Sequence, residues 1–427
     1  MSSRTAFEEL SQRGFISQVT HPDELPKLLA QPPQVFYIGF DPTATSLHVG
    51  SMLPVMVMAH LQRFGHKPIV LVGGATGMIG DPSGKSEERQ LLGVEKLKEN
   101  LEGLKSQLSR FFSFEGSNAA IMVDNYDWTS KFSYIEWLRE IGKHITVNYM
   151  LQKKSVQLRL EYREQGISYT EFSYMLLQAN DFLHLFETYG CKIQCGGDDQ
   201  WGNITAGMDL IHKKIGGEAY CFTWPLMVTA SGEKFGKSAG NAVWLDGNMT
   251  SPYHFYQYWI QTTDDDVEKY LKFFTFLPLE EIAQIMQEHV ASPEKRYAQV
   301  RLATEVTRTV HGEAGLQKAQ LATDVFFGKP IQGLSDSDLI AVFSNVPSKT
   351  FSRNVLTDGI SIIDCAVEAG VYPSKGEARR SISGGGLYVN NNRVEDEKMK
   401  LMTTNLVGES SIVLRKGKKE YTLLRFE

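Results

Sequence analysis

Three short segments of the sequence carry side chains that could bind and activate a phosphorylated substrate. The first is His48-Val49-Gly50-Ser51, at the start of an apolar run with helix-like spacing. Free backbone N–H groups and the helix dipole favour an anion at such a position, and the imidazole can donate to a phosphate. Gly50 would let a flat ring approach the backbone, because any side chain would fill that space. Taken alone, the motif is more typical of a structural histidine.

The second segment is the glycine-rich stretch from Gly73 to Ser86, which is similar to a phosphate-binding loop. A P-loop has four residues between its first glycine and the Gly-Lys pair, whereas three residues separate Gly80 from Gly84. The glycines at 74, 77 and 80 also fail the GxGxxG spacing of dinucleotide-binding loops. The spacing therefore argues against a kinase, a GTPase and a dehydrogenase.

The third segment is Lys234-Phe235-Gly236-Lys237-Ser238, which follows the turn Ala230-Ser231-Gly232. Two ammonium groups on a mobile loop could close over a triphosphate and stabilise the charge of departing pyrophosphate. This would be electrostatic catalysis rather than acid–base catalysis. Taken alone, a solvated lysine turn is the more common explanation of such a segment.

Local patterns predict the elements that position these segments. The β-rich run 35–40, the helix-like run 47–64 and the β-rich run 68–74 form a parallel βαβ unit. Ligands of such units collect at the carboxyl ends of the strands, here near residues 39–51 and 73–89. Further along, helices are predicted at 132–141 and 170–189, before a short strand at 191–195.

The rest of the chain is predicted to form two further units. Residues 252–326 have a helical pattern, with acids at 264–266 as a start and Gly328-Lys329-Pro330 as a stop. Residues 345–359 lack periodicity and are interpreted as a linker. A small α/β module follows, with a helix at 362–369, a segment at 374–382, a turn at 384–386 and a strand at 387–390.

Composition restricts the class of protein. The net charge is −6, but residues 371–427 hold eleven Lys/Arg and seven Asp/Glu, so this end carries +4 and the remainder −10. A basic end on an acidic body suggests contact with a polyanion, although such residues often only solvate a surface. The four cysteines do not form a zinc-binding set, and we interpret them as reduced, buried thiols. No apolar stretch is long enough to span a bilayer, and the start has no signal core, which indicates a cytoplasmic protein; a cleaved organellar import sequence is left open.

Taken together, the motifs resemble a known enzyme family. The histidine and lysine segments resemble the HIGH and KMSKS signatures of class I aminoacyl-tRNA synthetases. Further segments resemble bacterial-type tyrosyl-tRNA synthetases in particular, and the resemblance extends from about Phe7 to Phe426. These segments are Tyr37-Ile38-Gly39-Phe40-Asp41-Pro42-Thr43, Gly80-Asp81-Pro82-Ser83-Gly84-Lys85, Thr170-Glu171-Phe172-Ser173-Tyr174 and Asp199-Gln200-Trp201-Gly202-Asn203.

The resemblance implies an α/β fold with a Rossmann-like parallel-sheet catalytic domain, an all-α domain and a small α+β domain similar to the S4 RNA-binding fold. The implied boundaries are 1–228 for the catalytic domain, 229–344 for the signature loop and anticodon-side helices, 345–359 for the linker and 360–427 for the S4-like domain. A helical insertion at about 130–190 would form the interface of a symmetric homodimer, especially near Phe132 to Met150.

The resemblance also implies the residues that bind tyrosine. Tyr174, Gln178 and Asp181 lie at i, i+4 and i+7 of one predicted helix, so all three project from one face. The substrate phenol would satisfy the buried carboxylate of Asp181, whereas phenylalanine would not; this family is a known example of such rejection without editing. The complete implied set is Tyr37, Asp41, Asp81, Asn125, Tyr174, Gln178, Asp181, Gln194 and Gln200.

The implied reaction uses ATP as a substrate with Mg²⁺, which would arrive with the nucleotide, and no protein-bound metal or prosthetic group. No general base is needed in the first step, because the tyrosine carboxylate attacks the α-phosphorus in line. The implied catalytic residues are His48, Thr43, Lys85, Arg89, Lys234, Lys237 and Ser238. The implied ATP-binding residues are Gly39, His48, Gly50, Ser51, Gly197, Asp199 and Lys237.

The basic tail would contact the phosphates of tRNA(Tyr), which adds affinity but little sequence reading. The residues concerned are Lys375, Arg379, Arg380, Arg415, Lys416, Lys418 and Lys419. Two positions depart from the family pattern: Ser51 replaces the second histidine of the first signature, and Asp198 stands where GGSDQWGN is common. Two alternatives are a nucleotidyltransferase that makes a small adenylate without RNA, and a non-catalytic RNA-binding protein with the same fold.

Overall fold

The structure is a computed structural model that describes residues 4–41, 44–81, 100, 103–153, 156–157, 160, 167–229, 235–238, 241–344, 346–418 and 420–427. Packing divides the chain into two compact units. The first unit comprises Met1–Asp246 and Thr262–Glu305, and the second comprises Gly247–Gln261 and Val306–Glu427. The predicted domain boundaries are placed where the sequence motifs change, whereas the two units are defined by contacts in the structure. The two divisions differ because a helical pattern in the sequence does not specify what the helix packs against.

The helices and strands of the described residues have the following bounds. The helices are α1 Ala6–Arg13, α2 Leu25–Leu29, α3 Met52–Arg63, α4 Gly74–Ile79, α5 Tyr126–Thr129, α6 Tyr134–Glu140, α7 Val147–Leu151, α8 Tyr169–Tyr189, α9 Trp201–Ile215, α10 Pro252–Ile260, α11 Asp264–Phe274, α12 Leu279–Ala291, α13 Tyr297–Phe326, α14 Asp336–Val342, α15 Ile362–Glu368 and α16 Lys375–Ser383. The strands are β1 Gln18–Val19, β2 Val35–Phe40, β3 Lys67–Val72, β4 Ile121–Asp124, β5 Ile193–Gly197, β6 Tyr220–Trp224, β7 Lys237–Ser238, β8 Asn241–Ala242, β9 Ser348–Phe351, β10 Ile360–Ser361, β11 Leu387–Val389, β12 Asn392–Arg393, β13 Lys400–Leu401, β14 Ser411–Lys416 and β15 Glu420–Phe426.

The first unit is built on a six-stranded sheet in the order β1-β6-β5-β2-β3-β4. Strand β1 runs antiparallel to β6, and the remaining neighbours pair in parallel. The predicted parallel βαβ unit is therefore confirmed, and β2 has the predicted bounds. Because β2, β3 and β5 are adjacent and parallel, their carboxyl ends lie together at one edge of the sheet.

Helix α8 carries the predicted triad and is well defined by its ends. The Ser168 hydroxyl accepts a hydrogen bond from the N–H of Glu171, and Gly190 closes the helix in the left-handed conformation. A cap of this kind stabilises a helix by about 1 kcal/mol. Phe182 and Leu183 of α8 are buried in one core with Tyr37 and Leu71 of the sheet. This packing holds one face of α8 against the strand ends.

The second unit contains a five-stranded sheet in the order β12-β11-β14-β15-β9. Strand β9 pairs in parallel with β15, and Phe351 is buried in the core of this unit. The predicted linker at 345–359 is therefore wrong for its described residues. Its short strand, with Ser348 to Thr350 exposed, has no local periodicity, because its position depends on pairing with a distant strand.

Helices and sheet of the second unit share a hydrophobic core. Val325 and Phe343 lie in one buried cluster with Val413 and Tyr421. Side chains reinforce the packing, since the Asp336 carboxylate accepts hydrogen bonds from the N–H groups of Glu409 and Ser410 and from the Ser411 hydroxyl. The fold therefore has the predicted parallel-sheet, helical and α+β parts. Among the described residues, no helix has both the length and the apolar character needed to cross a membrane.

Candidate active site

A cavity of about 200 Å³ opens at the carboxyl ends of β2, β3 and β5. One water occupies roughly 30 Å³, so the cavity has room for an organic molecule. Its walls include eight of the nine residues predicted to bind tyrosine, together with Gly196 of β5; the eight are Tyr37, Asp41, Asp81, Tyr174, Gln178, Asp181, Gln194 and Gln200. The remaining wall is formed by Ile38, Gly39, Phe40, Pro54, Leu71, Gly73, Thr76, Cys195, Gly197, Ile204 and Trp224.

Asp181 is a buried carboxylate, 1% exposed, at the α8 side of the cavity. It accepts hydrogen bonds from Asn125 Nδ2 at 2.9 Å and from Trp128 Nε1 at 2.8 Å. Burial raises the pKa of Asp181 to about 7, although these two hydrogen bonds act to lower it. A further donor in the cavity would stabilise the ionised form.

Two buried polar atoms in the cavity wall have no hydrogen-bond partner among the described residues. They are the hydroxyl of Tyr37 and Oε1 of Gln194, whose residues are 1% and 2% exposed. Burial, and then the charge of Asp181, raise the pKa of Tyr37, so its hydroxyl stays protonated. A buried polar group without a partner costs about 1–3 kcal/mol, which a polar ligand would recover. The cavity is therefore suited to a ligand with an aromatic body and a polar end.

The carboxylate of Asp81 is a second polar group in the cavity wall. Gln200 Nε2 donates to Asp81 Oδ2 at 2.6 Å, and Asn203 Nδ2 donates to Gln200 Oε1 at 3.1 Å. Gln178 is half-buried, and Tyr174 is buried. A carboxylate oriented by an amide in this way can receive an ammonium group. The helical spacing of Tyr174, Gln178 and Asp181 does bring all three side chains to the same cavity, as predicted.

The histidine segment forms a tight turn, Val49–Ser51, that leads into α3. A Cβ built on Gly50 would lie 2.8 Å from the His48 ring, and one built on Gly236 would lie 2.8 Å from the N of Gly50. Two of the three predicted segments therefore meet glycine to glycine. Partial burial lowers the pKa of His48, which favours a neutral imidazole at pH 7. Since His48 also contacts Trp244, with ring centroids 6.0 Å apart, the turn is held on two sides.

Aromatic packing fixes the described part of the lysine segment. The Phe235 ring stacks on Phe274 with centroids 5.2 Å apart and meets the edge of Tyr270 at 5.1 Å. The N–H of Val243 donates to the carbonyl of Gly236 at 3.1 Å. The Phe235 ring thus attaches the segment to α11, and the backbone of Gly236 attaches it to Val243, just after β8.

Several predicted residues lie outside the described residues, namely Thr43, Lys85, Arg89, Lys234 and Lys419. Lys237 and Ser238 form β7, paired with β8. Of the predicted ATP-binding residues, Gly39 and Gly197 line the cavity, whereas His48, Gly50 and Ser51 belong to the turn beside Gly236. Asp199 lies two residues after Gly197, and burial raises the pKa of Asp199.

Asn125 does not line the cavity, in contrast to the prediction that it binds tyrosine. It is fully buried, donates to Asp181 and to Thr76 Oγ1, and accepts from the N–H of Ala75. Its position at the end of β4 places it behind Asp181, so it orients the carboxylate. Trp128 has the same function and was not predicted, because no local pattern indicates which side chain of α5 reaches α8.

The basic residues of the second unit differ in exposure. Arg379, Arg380 and Lys418 are exposed, and Lys375 is exposed but paired with Asp364 at 2.6 Å. Lys416 lies 3.5 Å from Glu420.

The prediction that Arg415 contacts phosphate is wrong for this structure. Arg415 is 8% exposed, donates to Asn391 Oδ1 at 2.7 Å and to the carbonyl of Gly417, and stacks on Tyr388. A guanidinium with these partners stabilises the fold, and a charge count along the sequence cannot distinguish it from a surface cation.

The resemblance implies that this cavity binds tyrosine, and on that expectation Trp128→Phe should shift the pH dependence of tyrosine activation. The change removes one of the two donors that lower the pKa of Asp181, so this pKa should rise above about 7. If the ionised carboxylate binds the substrate, the acidic limb of kcat/KM for tyrosine moves to higher pH. At pH 7 we expect a loss of roughly 10-fold, which recovers by pH 9. Trp137→Phe is the matched control, and an equal loss at every pH would contradict the assignment.

Comparisons with known proteins agree with this geometry. Residues 30–328 match the family model described as tRNA synthetases class I (W and Y), and residues 338–424 match the tyrosine–tRNA ligase SYY-like C-terminal domain. The fold is therefore that of a class I tRNA synthetase. This result excludes the alternative of a nucleotidyltransferase from another family.

Individual relatives show to which family of class I tRNA synthetases the chain belongs. The chain is 48% identical to a tyrosine–tRNA ligase of Rhodopirellula baltica, over 100% of this chain and 97% of the relative, and 49% identical to one of Roseiflexus castenholzii, over 99% of each. A C-terminally truncated mitochondrial tyrosyl-tRNA synthetase of Aspergillus nidulans has a similar structure, with a TM-score of 0.68 and 33% identity over 76% of this chain and 94% of that chain. The chain belongs to the tyrosine–tRNA ligases, a family of aminoacyl-tRNA ligases.

Proposed function

We propose that the chain joins L-tyrosine to ATP, forming tyrosyl-adenylate and pyrophosphate, and then transfers tyrosine to the 3′-terminal adenosine of tRNA(Tyr). The observation that carries this proposal is the buried cavity in which the Tyr37 hydroxyl, Gln194 Oε1 and the Asp181 carboxylate lie at the wall. A phenol can donate to one of these groups and accept from another. Phenylalanine would leave the Tyr37 hydroxyl and Gln194 Oε1 without a partner among the described residues. It would give Asp181 no donor beyond Asn125 and Trp128.

The ammonium group of tyrosine is proposed to bind at Asp81, with Tyr174 and Gln178 beside it, because Gln200 already orients the Asp81 carboxylate. The substrate carboxylate then faces the turn of His48 and Gly50. Attack on the α-phosphorus needs no proton transfer, so these residues act by position and charge. Magnesium arrives with ATP and keeps phosphate and water as most of its ligands.

Tyrosine-dependent exchange of labelled pyrophosphate into ATP tests the first step directly. We expect exchange with tyrosine and much slower exchange with phenylalanine. Folded protein without exchange would reject the proposal and favour the alternative of a non-catalytic RNA-binding protein. Charging of tRNA(Tyr), measured separately, tests the second step.

The exposed cations of the second unit are proposed to contact tRNA phosphates through an S4-like module that begins with α15 and α16. Truncation is a poor test of this role. Removing residues after 356 would take Val413 and Tyr421 from the cluster that also buries Val325 and Phe343, and the remaining helices would lose part of their core.

Arg379→Ala with Arg380→Ala is the sharper test, since both side chains are exposed on α16. We expect unchanged pyrophosphate exchange and a raised KM for tRNA in the charging reaction. Each lost phosphate contact should reduce the slope of log affinity against log salt by about 0.7–0.9. Glu377→Ala on the same helix is the control. Unchanged charging by the double variant at about 150 mM salt, which is roughly the physiological ionic strength, would count against the RNA role.

A symmetric homodimer is proposed on the basis of exposed apolar side chains on α6 and α7. Tyr134 and Ile135 are each 63% exposed, and Val147 is 58% exposed. Clusters of this kind on a water-soluble surface mark interfaces. Sedimentation should give twice the mass of the chain, and a monomer would reject the proposal.

Because the chain belongs to the tyrosine–tRNA ligases, we propose that the enzyme acts in the cytoplasm.

A further inference from the structure

The turn Asp198–Gln200 connects β5 to α9 and carries acidic and amide side chains to different surroundings. Gln200 lines the cavity and binds Asp81. Asp198 instead accepts hydrogen bonds from Ser17 Oγ at 2.7 Å, from Gln18 Nε2 at 3.0 Å and from Thr223 Oγ1. The side chain of Asp198 thus attaches the turn to two other segments of the chain.

The donors of these three hydrogen bonds are themselves held in place. Gln18 of β1 lies opposite Thr223 of β6 in an antiparallel pair. The N–H of Ser17 donates to the carbonyl of Thr223 at 2.7 Å, and the N–H of Thr20 donates to the carbonyl of Cys221 at 3.0 Å. Asp198 is therefore bound by side chains whose own backbones are held by the pairing of β1 with β6.

The Asp198 carboxylate stays ionised at neutral pH. Partial burial acts to raise its pKa, but the hydrogen bonds from Thr223, Gln18 and Ser17 outweigh this effect and lower the pKa below its ordinary value. Hydrogen bonds to an ionised acceptor are roughly twice as strong as those between neutral groups. A serine at this position, as in the common family pattern, could not accept three such bonds.

We infer that Asp198 is a positioning residue for the nucleotide side of the active site. It fixes the turn that carries Asp199, one of the residues that the family resemblance assigns to ATP, by tying the turn to β6 and to the N-terminal edge strand β1. The inference rests on the proposed function, because it assigns Asp199 to ATP. It also gives the two-residue strand β1 a role in catalysis, although β1 does not line the cavity.

A role of Asp198 through its negative charge and a role through positioning of the turn lead to opposite predictions for the KM for ATP of Asp198→Ala. If Asp198 acted only by its charge, its removal would reduce repulsion of the ATP polyanion and lower the KM for ATP. If it acts by position, the loosened turn raises this KM. The sign of the change in KM for ATP therefore separates the two explanations.

The test is tyrosine-dependent pyrophosphate exchange with wild type, Asp198→Ala, Asp198→Asn and Thr223→Val. For Asp198→Ala we expect a KM for ATP raised roughly 10-fold, with kcat and the KM for tyrosine changed less than about twofold. Asp198→Asn keeps one acceptor oxygen and should fall between this variant and wild type. Thr223→Val removes one donor at nearly constant shape and keeps the charge, so it should raise the KM for ATP by about threefold.

A double-mutant cycle adds a second criterion. Ser17→Ala with Gln18→Ala removes the donors of the edge strand, and combining it with Asp198→Ala should cause no further increase in the KM for ATP, because both changes remove the same contacts. An unchanged or lowered KM for ATP in folded Asp198→Ala would overturn the inference, as would equal increases for ATP and tyrosine. Wild-type exchange tests the proposed function independently, so failure of the inference leaves that function intact.

Discussion

Replacing Asp181 by alanine is expected to remove most of the preference for tyrosine over phenylalanine. The buried group is the one carboxylate that α8 supplies to the cavity wall, and its hydrogen bond to a substrate phenol would be charge-assisted. Such bonds contribute about 1.5–3 kcal/mol, which corresponds to a loss in kcat/KM for tyrosine of roughly 10- to 150-fold. The rate with phenylalanine should change much less, since that substrate has no hydroxyl to lose a partner.

The measurement is kcat/KM for each amino acid in pyrophosphate exchange. Alanine at 181 would leave Asn125 Nδ2 and Trp128 Nε1 without their acceptor, so thermal unfolding must be measured in parallel. Asp127→Ala, an exposed acid on α5, is the control for removal of a negative charge near the site. If Asp181→Ala slowed both amino acids by the same factor while remaining folded, the carboxylate would not be the group that reads the hydroxyl.

The pH dependence of the wild type follows from the same group. A pKa of about 7 for Asp181 means that the carboxylate becomes protonated as the pH falls through 7. In the unfolded chain an aspartate titrates near 3.9, so the raised value destabilises the fold above that pH. A donor from the substrate would lower the pKa in the complex. Bound tyrosine should therefore stabilise the protein more at pH 8 than at pH 6.

Local sequence patterns predict the parts of the site that belong to single elements. The apolar run and the terminal Ser168 and Gly190 define α8, and the helical period alone brings Tyr174 and Asp181 to one face. The β-rich run at 35–40 likewise defines β2. Within such elements, the interactions that decide the structure lie a few residues apart in the sequence.

Contacts between distant elements could not be predicted in this way. The hydrogen bond from Trp128 to Asp181 joins residues 53 positions apart, and that from Ser17 to Asp198 joins residues 181 apart. Strand β1 has two residues and carries no periodic signal of its own. Burial of Arg415 depends on Asn391, which is brought near it by strand pairing. The resemblance identifies Asn125 as a residue of the site, but it does not show that Asn125 lies behind Asp181 and outside the cavity wall.

Replacing Lys234 and Lys237 together by alanine is expected to have the largest effect on the rate of adenylate formation. Both flank Phe235 and Gly236, whose contacts with Phe274 and Gly50 attach the lysine segment to α11 and to the histidine turn, respectively. Negative charge grows on the pyrophosphate oxygens as the leaving group departs, so cations placed there stabilise the transition state more than the bound substrates. Loss of a single preorganised donor of this kind typically lowers kcat by about 10²–10³, and we expect at least about 10³ for the pair.

The double variant should bind tyrosine with the affinity of wild type, since the groups proposed to bind the phenol and the ammonium group, among them Tyr37 and Asp181, are supplied by other elements of the described chain. Single-turnover formation of tyrosyl-adenylate and equilibrium tyrosine binding give the two quantities separately. Lys27→Ala with Lys295→Ala, two exposed lysines, controls for the loss of two positive charges. Because forward and reverse reactions share one transition state, attack of pyrophosphate on the adenylate should slow as well. A matched decrease in tyrosine affinity would show that the lysines act on substrate binding, and an unchanged reverse rate would show that they stabilise the product complex as much as the transition state.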